Sequence, residues 1–287
     1  MPNYYVSRRS TEAQAFSVWT PPSGTLGELT DEARARAATL TARTAELERL
    51  ARAAPPAPPF AAALRRNDVA VIAEVKRSSP SKGAINAGLD LADQVTAYEQ
   101  GGAAAISILT EPSHFGGSND DLTRARSMVR LPLLKKDFHV EPVQLLEARA
   151  LGASAALLIV RAIEPARLKQ LFDVAASVGL EVLVEVRDER ELERALALGA
   201  QLIGVNNRNL ETLEIDPETC ARLIPLLPRS VVAVAESGIR APADVERVAA
   251  VGADAVLIGS QLSASDDPES AVRKLTGVAR SNGARKS

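Results

Sequence analysis

Glu74 and Lys76 close a short apolar run and stand two residues apart, so on an extended strand they point to the same face. A second basic pair, Lys135-Lys136, follows the run Leu131 to Leu134 and leads into Asp137. Glu185 lies inside the run Glu181 to Val186, and Asn206-Asn207-Arg208 follows Leu202 to Val205. Glu236-Ser237-Gly238 follows Val231 to Ala235, and Gly259-Ser260 follows Ala255 to Ile258. Lysines and carboxylates held together can exchange protons with a substrate. They can also stabilise charge that develops on an oxygen. Left unpaired among apolar residues, each such group would cost about 1–3 kcal/mol. Any one of them could belong to a structural ion pair. The recurrence of such groups at six of eight run ends favours a site.

The elements that must position these residues are legible in the same rhythm. Apolar runs recur at Val69 to Val75, Ala104 to Leu109, Leu131 to Leu134 and Ala155 to Val160. They continue at Glu181 to Val186, Leu202 to Val205, Val231 to Ala235 and Ala255 to Ile258. Runs of this kind suit strands of a parallel sheet covered on both faces. Helical patterns lie between them, as in Val143 to Leu151, Leu168 to Val178, Leu192 to Leu198 and Val245 to Val251. The alternation predicts repeated βα units. Gly102-Ala103, Gly152-Ala153, Gly199-Ala200 and Gly252-Ala253 each end a helical pattern, where glycine suits the left-handed closing position. Eight units predict an α/β fold of the closed (β/α)8 type, a TIM barrel. An open doubly wound sheet is the alternative, but no G-x-G-x-x-G follows the first strand. In a barrel the strand ends carry the active site, and the turns after strands seven and eight commonly hold phosphate. Ser237-Gly238 and Gly259-Ser260 occupy those two turns, and a short helix N-terminus beside them would complete an anion site.

Before the barrel, Leu26, Leu29, Ala33, Ala37, Leu40, Leu47 and Leu50 form one apolar helical face. Thr30 or Asp31 is the expected N-cap. Pro55-Pro56-Ala57-Pro58-Pro59 ends the pattern. Residues 1–23 read as an irregular extension. Residues 24–287 read as one barrel domain with its N-terminal helix, the barrel proper spanning about 66–280.

The chain has 287 residues, 46% of them hydrophobic and only 3% aromatic, enough to bury a large core with few stacking platforms. A net charge of −2 argues against a nucleic-acid partner. The single cysteine excludes an internal disulfide and fits a reducing cytoplasm. No apolar run reaches the length of a membrane helix, and the N-terminus carries no signal-peptide core.

Longer segments surround these residues: Ile72 to Gly83, Ile-Ala-Glu-Val-Lys-Arg-Ser-Ser-Pro-Ser-Lys-Gly, then Ser107 to Glu111, Phe115 to Ser118, Leu134 to Phe138, Leu183 to Val186, Gly204 to Leu210 and Ala235 to Ile239. The first is similar to the first-strand signature of the indole-3-glycerol-phosphate synthase family, and the chain resembles that family in the others as well. The resemblance runs from about Phe60 to Leu275. It implies a small-molecule substrate, 1-(2-carboxyphenylamino)-1-deoxyribulose 5-phosphate, and a ring closure, decarboxylation and dehydration that need no metal or cofactor. It implies Lys136 as general acid and Glu185 as the aid to proton removal in the dehydration. Lys76 would contact a substrate anion and could exchange acid duty with Lys136. Glu74, Asn206 and Glu236 would position the lysines and the anilino nitrogen. Ser237, Gly238, Gly259 and Ser260 would hold phosphate, with Ser79 and Phe138 lining the substrate pocket and Arg208 meeting the carboxylate.

Other prominent residues have plainer readings. His139 reads as structural, and His114 reads as a loop residue facing solvent. Neither has metal-ligand spacing. Cys220 reads as a small packed side chain. The Ser, Lys and Gly content of residues 78–88 suits a mobile lid. Two other functions remain open at this stage: a different phosphate-binding barrel enzyme of the same pathway, and a barrel that binds a phosphorylated metabolite without catalysis. The oligomeric state stays open, with a monomer compatible.

Overall fold

The computed structural model describes residues 19–281 and 284–285. Eight parallel strands close into a barrel: β1 (Ala70–Val75), β2 (Ala105–Leu109), β3 (Leu133–Lys136), β4 (Ala155–Ile159), β5 (Glu181–Val186), β6 (Leu202–Asn206), β7 (Val232–Glu236) and β8 (Ala255–Ile258). Neighbours in sequence are neighbours in the sheet, and β1 closes the ring against β8. The expected runs all become strands, shifted at most by a residue or two. The one shift that matters is in β3, where Lys135 and Lys136 lie inside the strand rather than beyond it. Period-two alternation then sends them opposite ways. Lys135 turns out to Glu147 on the surrounding helix at 2.8 Å, while Lys136 turns into the barrel mouth.

Short apolar side chains fill the barrel wall, which explains the Ala-rich composition. Val71, Ala73, Ala105, Ala155, Leu183, Ile203, Ala233 and Val256 are all buried. Gly102, Gly152, Gly199 and Gly252 close their helices with φ between 77° and 99°, the conformation their Gly-Ala pattern predicts.

The N-terminal helical face is real but divided. Helix α1 (Gly24–Leu40) passes through a single 3-10 turn at Thr41–Arg43 into α2 (Thr44–Ala53), which packs on the helix Pro142–Ala150. The expected cap at Thr30 or Asp31 is incorrect: α1 starts six residues earlier than Thr30, with Ser23 at the cap position. Local capping chemistry does not set this start. The backbone N–H and hydroxyl of Ser23 both donate to Glu211, at 2.8 and 3.0 Å, and Thr25 N–H donates to the Glu211 carbonyl. Thr30 sits inside the helix, its hydroxyl donating to Gly27 O at 2.8 Å. Of the extension expected over residues 1–23, residues 1–18 lie outside the described range. Trp19 to Ser23 form no helix or strand.

The barrel's two ends divide the work. At the end where strands begin, buried Asp254 accepts from Ala233 N–H and Arg285, each at 2.7 Å, and also pairs with Arg280. Arg285 in turn donates to Val231 O at 2.8 Å, so the chain's last described segment is clamped under the barrel. Replacing Asp254 by Ala leaves a buried guanidinium unpaired, a loss of about 3–5 kcal/mol. Urea unfolding of Asp254→Ala is expected to show a destabilisation of that size, while catalytic turnover of the folded fraction stays at the wild-type value.

Candidate active site

The strand ends open on a cavity of about 160 Å³. Glu74, Lys76, Ser79, Lys136, Phe138, Glu185, Asn206, Arg208, Glu236, Ser237, Gly238, Gly259 and Ser260 all line it. One cavity therefore gathers every site residue picked from the sequence.

At its floor, a single ammonium faces three carboxylates. Lys136 Nζ lies 3.9 Å from Glu74, 4.0 Å from Glu185 and 3.8 Å from Glu236. Lys76 Nζ pairs with the other Glu74 oxygen at 2.5 Å. Asn206 donates to Glu185 Oε1 at 3.0 Å, and Ser107 donates to Glu74 Oε2 at 3.3 Å. The three carboxylates are 1–3% exposed, so solvent screens them little.

The charges follow from that burial. Desolvation lowers the pKa of Lys136, but attraction to Glu74, Glu236 and Glu185 outweighs it and holds the ammonium above the ordinary lysine range. Desolvation raises the pKa of Glu74, yet Lys76 and Lys136 together pull it below the usual carboxylate value. Glu236 goes the other way. Burial first and the charge of Glu185 second push it up to about 8, against the pull of Lys136. At neutral pH the site thus holds ionised Glu74, a charged Lys136 and a protonated Glu236.

Backbone features fix this cluster in ways the motifs did not announce. A Cβ on Gly204 would stand 2.0 Å from Glu236 Oε1, and one on Gly259 would stand 2.3 Å from Glu74 Oε1. A side chain at either position would displace the carboxylate from where it lies. Tyr98 and Ser263 hydroxyls donate to the Glu74 carbonyl at 3.1 and 2.9 Å, and Lys76 N–H donates to Ser263 Oγ at 3.0 Å. The helix turn that follows β8 thereby pins the end of β1.

Around the mouth, Ser237 adopts φ 65° and Gly238 φ 81°, left-handed conformations that turn the chain sharply after β7. Gly259 and Ser260 open the four-residue helix Ser260–Ser263. Ser79 has a buried hydroxyl with no partner among the described residues. Ser78–Ser79 pair antiparallel with Gly83–Ala84, so the loop expected as a lid folds back as a ribbon. Phe138 stacks at a tilt on Phe115, centroids 6.2 Å apart. Arg208 N–H donates to Asn206 Oδ1 at 2.9 Å and its guanidinium to Leu213 O at 2.7 Å. The sequence reading missed Lys82, Leu210, Leu213, Ile215 and Arg240, which also line the cavity. They sit in loops outside any apolar rhythm, where only the folded backbone brings them to the mouth.

The remaining expectations resolve simply. His139 is buried, with its Nδ1 2.9 Å from Leu157 O. Burial, then the charge of Lys135, lowers it to about 4, so it is neutral and donates through Nδ1. Cys220 is buried against Val205 O at 3.3 Å. His114 is not a free solvent-facing side chain: its Nε2 lies 3.1 Å from both Glu32 oxygens and ties the β2 loop to α1. Glu32 lies 82 residues away in sequence, so no local pattern could pair the two.

Fold and site together define a (β/α)8-barrel enzyme whose ionisable groups converge at the carboxyl ends of its strands. Residues 26–275 match the family model described as indole-3-glycerol phosphate synthase, and the chain belongs to that family. It is 52% identical over 252 residues to indole-3-glycerol phosphate synthase 1 of Streptomyces coelicolor, covering 87% of this chain and 94% of that one. It is also 52% identical over 228 residues to the indole-3-glycerol phosphate synthase of Mycobacterium sp. strain KMS, covering 79% and 84%. Among solved structures, thiamine phosphate pyrophosphorylase from Pyrococcus furiosus superposes with a TM-score of 0.55 at 17% identity, over 74% of this chain and 95% of that one. That likeness concerns the fold alone. Among the described residues no helix is long and apolar enough to cross a membrane.

The raised Glu236 carboxyl makes stability depend on pH. Between its ordinary value of 4.5 and about 8, the unfolded chain ionises Glu236 while the folded protein keeps the proton. Its contribution is therefore complete below 4.5 and lost as pH rises through about 8. Thermal melts of Glu236→Gln are expected to fall less between pH 5 and pH 9 than those of the wild type. Parallel curves would show that Glu236 is already ionised at neutral pH.

Proposed function

We propose that this chain acts as a carboxy-lyase on 1-(2-carboxyphenylamino)-1-deoxyribulose 5-phosphate, forming indole-3-glycerol phosphate, carbon dioxide and water. The observation that carries this is the Lys136 ammonium held 3.8–4.0 Å from three carboxylates at the cavity floor. It supplies one proton donor among several acceptors, the set that a ring closure followed by a dehydration requires.

In this reading the phosphate rests on the turns Ser237-Gly238 and Gly259-Ser260, with Ser79 donating from the first loop. Backbone N–H groups at the start of Ser260–Ser263 face it. Arg208 meets the substrate carboxylate, and the anthranilate ring packs toward Phe138. Ring closure moves electrons from the aromatic carbon to the ketone carbon, and Lys136 passes its proton to the oxygen. An alkoxide is a much stronger base than any of the three carboxylates, so the proton leaves even a strongly held ammonium. Carbon dioxide then departs, and its bonding pair restores the aromatic ring. Dehydration finally needs a proton on the departing hydroxyl and the loss of a ring C–H proton. Lys76 or Lys136 supplies the first, and Glu185, fixed by Asn206, accepts the second. Glu74 holds both lysines at fixed positions and so acts as a positioning residue.

We assign the catalytic unit to residues 24–287, the barrel proper to about 66–280, and the enzyme to the cytoplasm, where the free buried thiol of Cys220 stays reduced. Product formation by the wild type and by Lys136→Ala, followed by indole fluorescence, tests the assignment. The variant is expected to lose about 10²- to 10⁴-fold in kcat, the usual worth of a positioned proton donor, with substrate binding retained. A folded wild type that binds substrate without turnover would leave a metabolite-binding barrel as the better reading.

A further inference from the structure

A second, smaller cavity of about 100 Å³ adjoins the active site. Glu185, Ile159, Arg208 and Leu210 line both cavities, so the two share a wall. The side cavity is ionic. Arg187, Asp188 and Glu191 face it from the loop and helix after β5, and the Arg161–Glu211 pair, at 2.8 Å, closes it from the loops after β4 and β6. Both members of that pair are partly exposed, at 29% and 22% of their side chains, and they form its solvent side. Arg187 Nε is buried with no hydrogen-bond partner among the described residues. A cavity of this size with an unsatisfied donor is a place for ordered water.

The reaction gives this cavity a task. Taking the proposed chemistry as correct, the substrate carboxylate leaves as neutral carbon dioxide. The ring closure and the hydroxyl departure together take up two protons, and the C–H loss returns one. Each turnover therefore consumes one proton from water. With substrate filling the mouth, the main cavity is a poor path for it.

We propose that the side cavity admits this proton, and that Glu191 relays it by way of cavity water to Glu185 and the ammonium cluster. Glu191 is suited by place: it is 8% exposed, lines the cavity together with Glu185, and is fixed by accepting Arg187 N–H at 2.8 Å. It is also suited by proton affinity. Burial first, then Asp188 and Glu185, raise it to about 7, against Arg187 N–H and the charge of Arg161. A group of that affinity is both loaded and unloaded at neutral pH. Glu191 touches no substrate in this scheme and is a positioning and relay residue.

Glu191→Gln keeps the acceptor for Arg187 N–H and removes the titration. Saturating-substrate kinetics from pH 6 to pH 9, with product read by fluorescence and proton uptake by a dilute indicator, test the relay. The wild type is expected to consume one proton per indole-3-glycerol phosphate in the initial phase, before the released carbon dioxide hydrates to bicarbonate and returns it. The Gln variant is expected to lose roughly 10²-fold in kcat, the low end for a proton-transferring group, with KM within about twofold, and to regain turnover when imidazole buffer is added. Glu191→His, which restores a titrating group, is expected to return much of the loss with a shifted pH profile. A Gln variant with the wild-type kcat, pH profile and no response to imidazole overturns the relay and leaves the proposed reaction standing. If Gln fails to fold, a folded His variant with an unshifted profile overturns it equally. A wild type that forms no product overturns both.

Discussion

One ammonium among three buried carboxylates is the constraint on which the upper half of this barrel depends. Buried like charges repel strongly where solvent cannot screen them. Removing Lys136 would leave Glu185 and Glu236 facing each other with no cation between them, and Lys76 alone on Glu74. With the lysine present, the cluster settles by keeping Glu74 ionised and Glu236 protonated. Everything nearby serves that arrangement. Gly204 and Gly259 make space for two of the carboxylates, Asn206 orients the third, and Tyr98 with Ser263 fixes the strand end that carries Glu74 and Lys76. Such a cluster is costly to build, because each ion gives up its hydration. A protein that needed only stability would fill the same place with apolar side chains.

The cost is borne by the rest of the barrel. Its wall is built of short apolar residues in register, and its lower end is closed by the Asp254 clamp, remote from the chemistry. The N-terminal helix adds a tie at the upper end. Arg36 reaches from α1 to Glu111 at 3.2 Å and to Asp137 at 3.1 Å. Asp137 follows Lys136 in the chain and also accepts from Thr110 at 2.6 Å. The helix thus steadies the backbone at the base of the central lysine. Burial of the charged cluster and rigidity of its supports are one physical requirement, met from two directions.

Much of this was legible in the sequence, and the boundary is informative. The closed barrel followed from eight apolar runs and the Gly-Ala helix ends, because strand burial and helix termination are local properties of the chain. The lysines and carboxylates that line the cavity followed from polar groups interrupting those runs at one end, because a strand fixes the direction of each side chain in advance. Ser79 and Phe138, by contrast, came only through the family resemblance. Other features depend on residues far apart in sequence and left no local trace. Glu211 sets the start of α1 in place of Thr30 or Asp31. Glu32 partners His114, and Gly204 earns its place only through the side chain of Glu236. Glu191 reads locally as an ordinary first-turn acid of its helix; only the cavity it shares with Glu185 distinguishes it.

The protonation of the resting site is the most direct test. Nitrogen-15 NMR of the lysine side chains, with Lys136→Arg used for assignment, reports the charge on Lys136 as pH is raised in the ligand-free enzyme. Three surrounding carboxylates require its ammonium signal to persist beyond the pH at which an ordinary solvent-exposed lysine loses its proton. A Lys136 signal that turns neutral below that pH would mean that desolvation, not the carboxylates, governs the site, and would contradict this account of how the cluster is held.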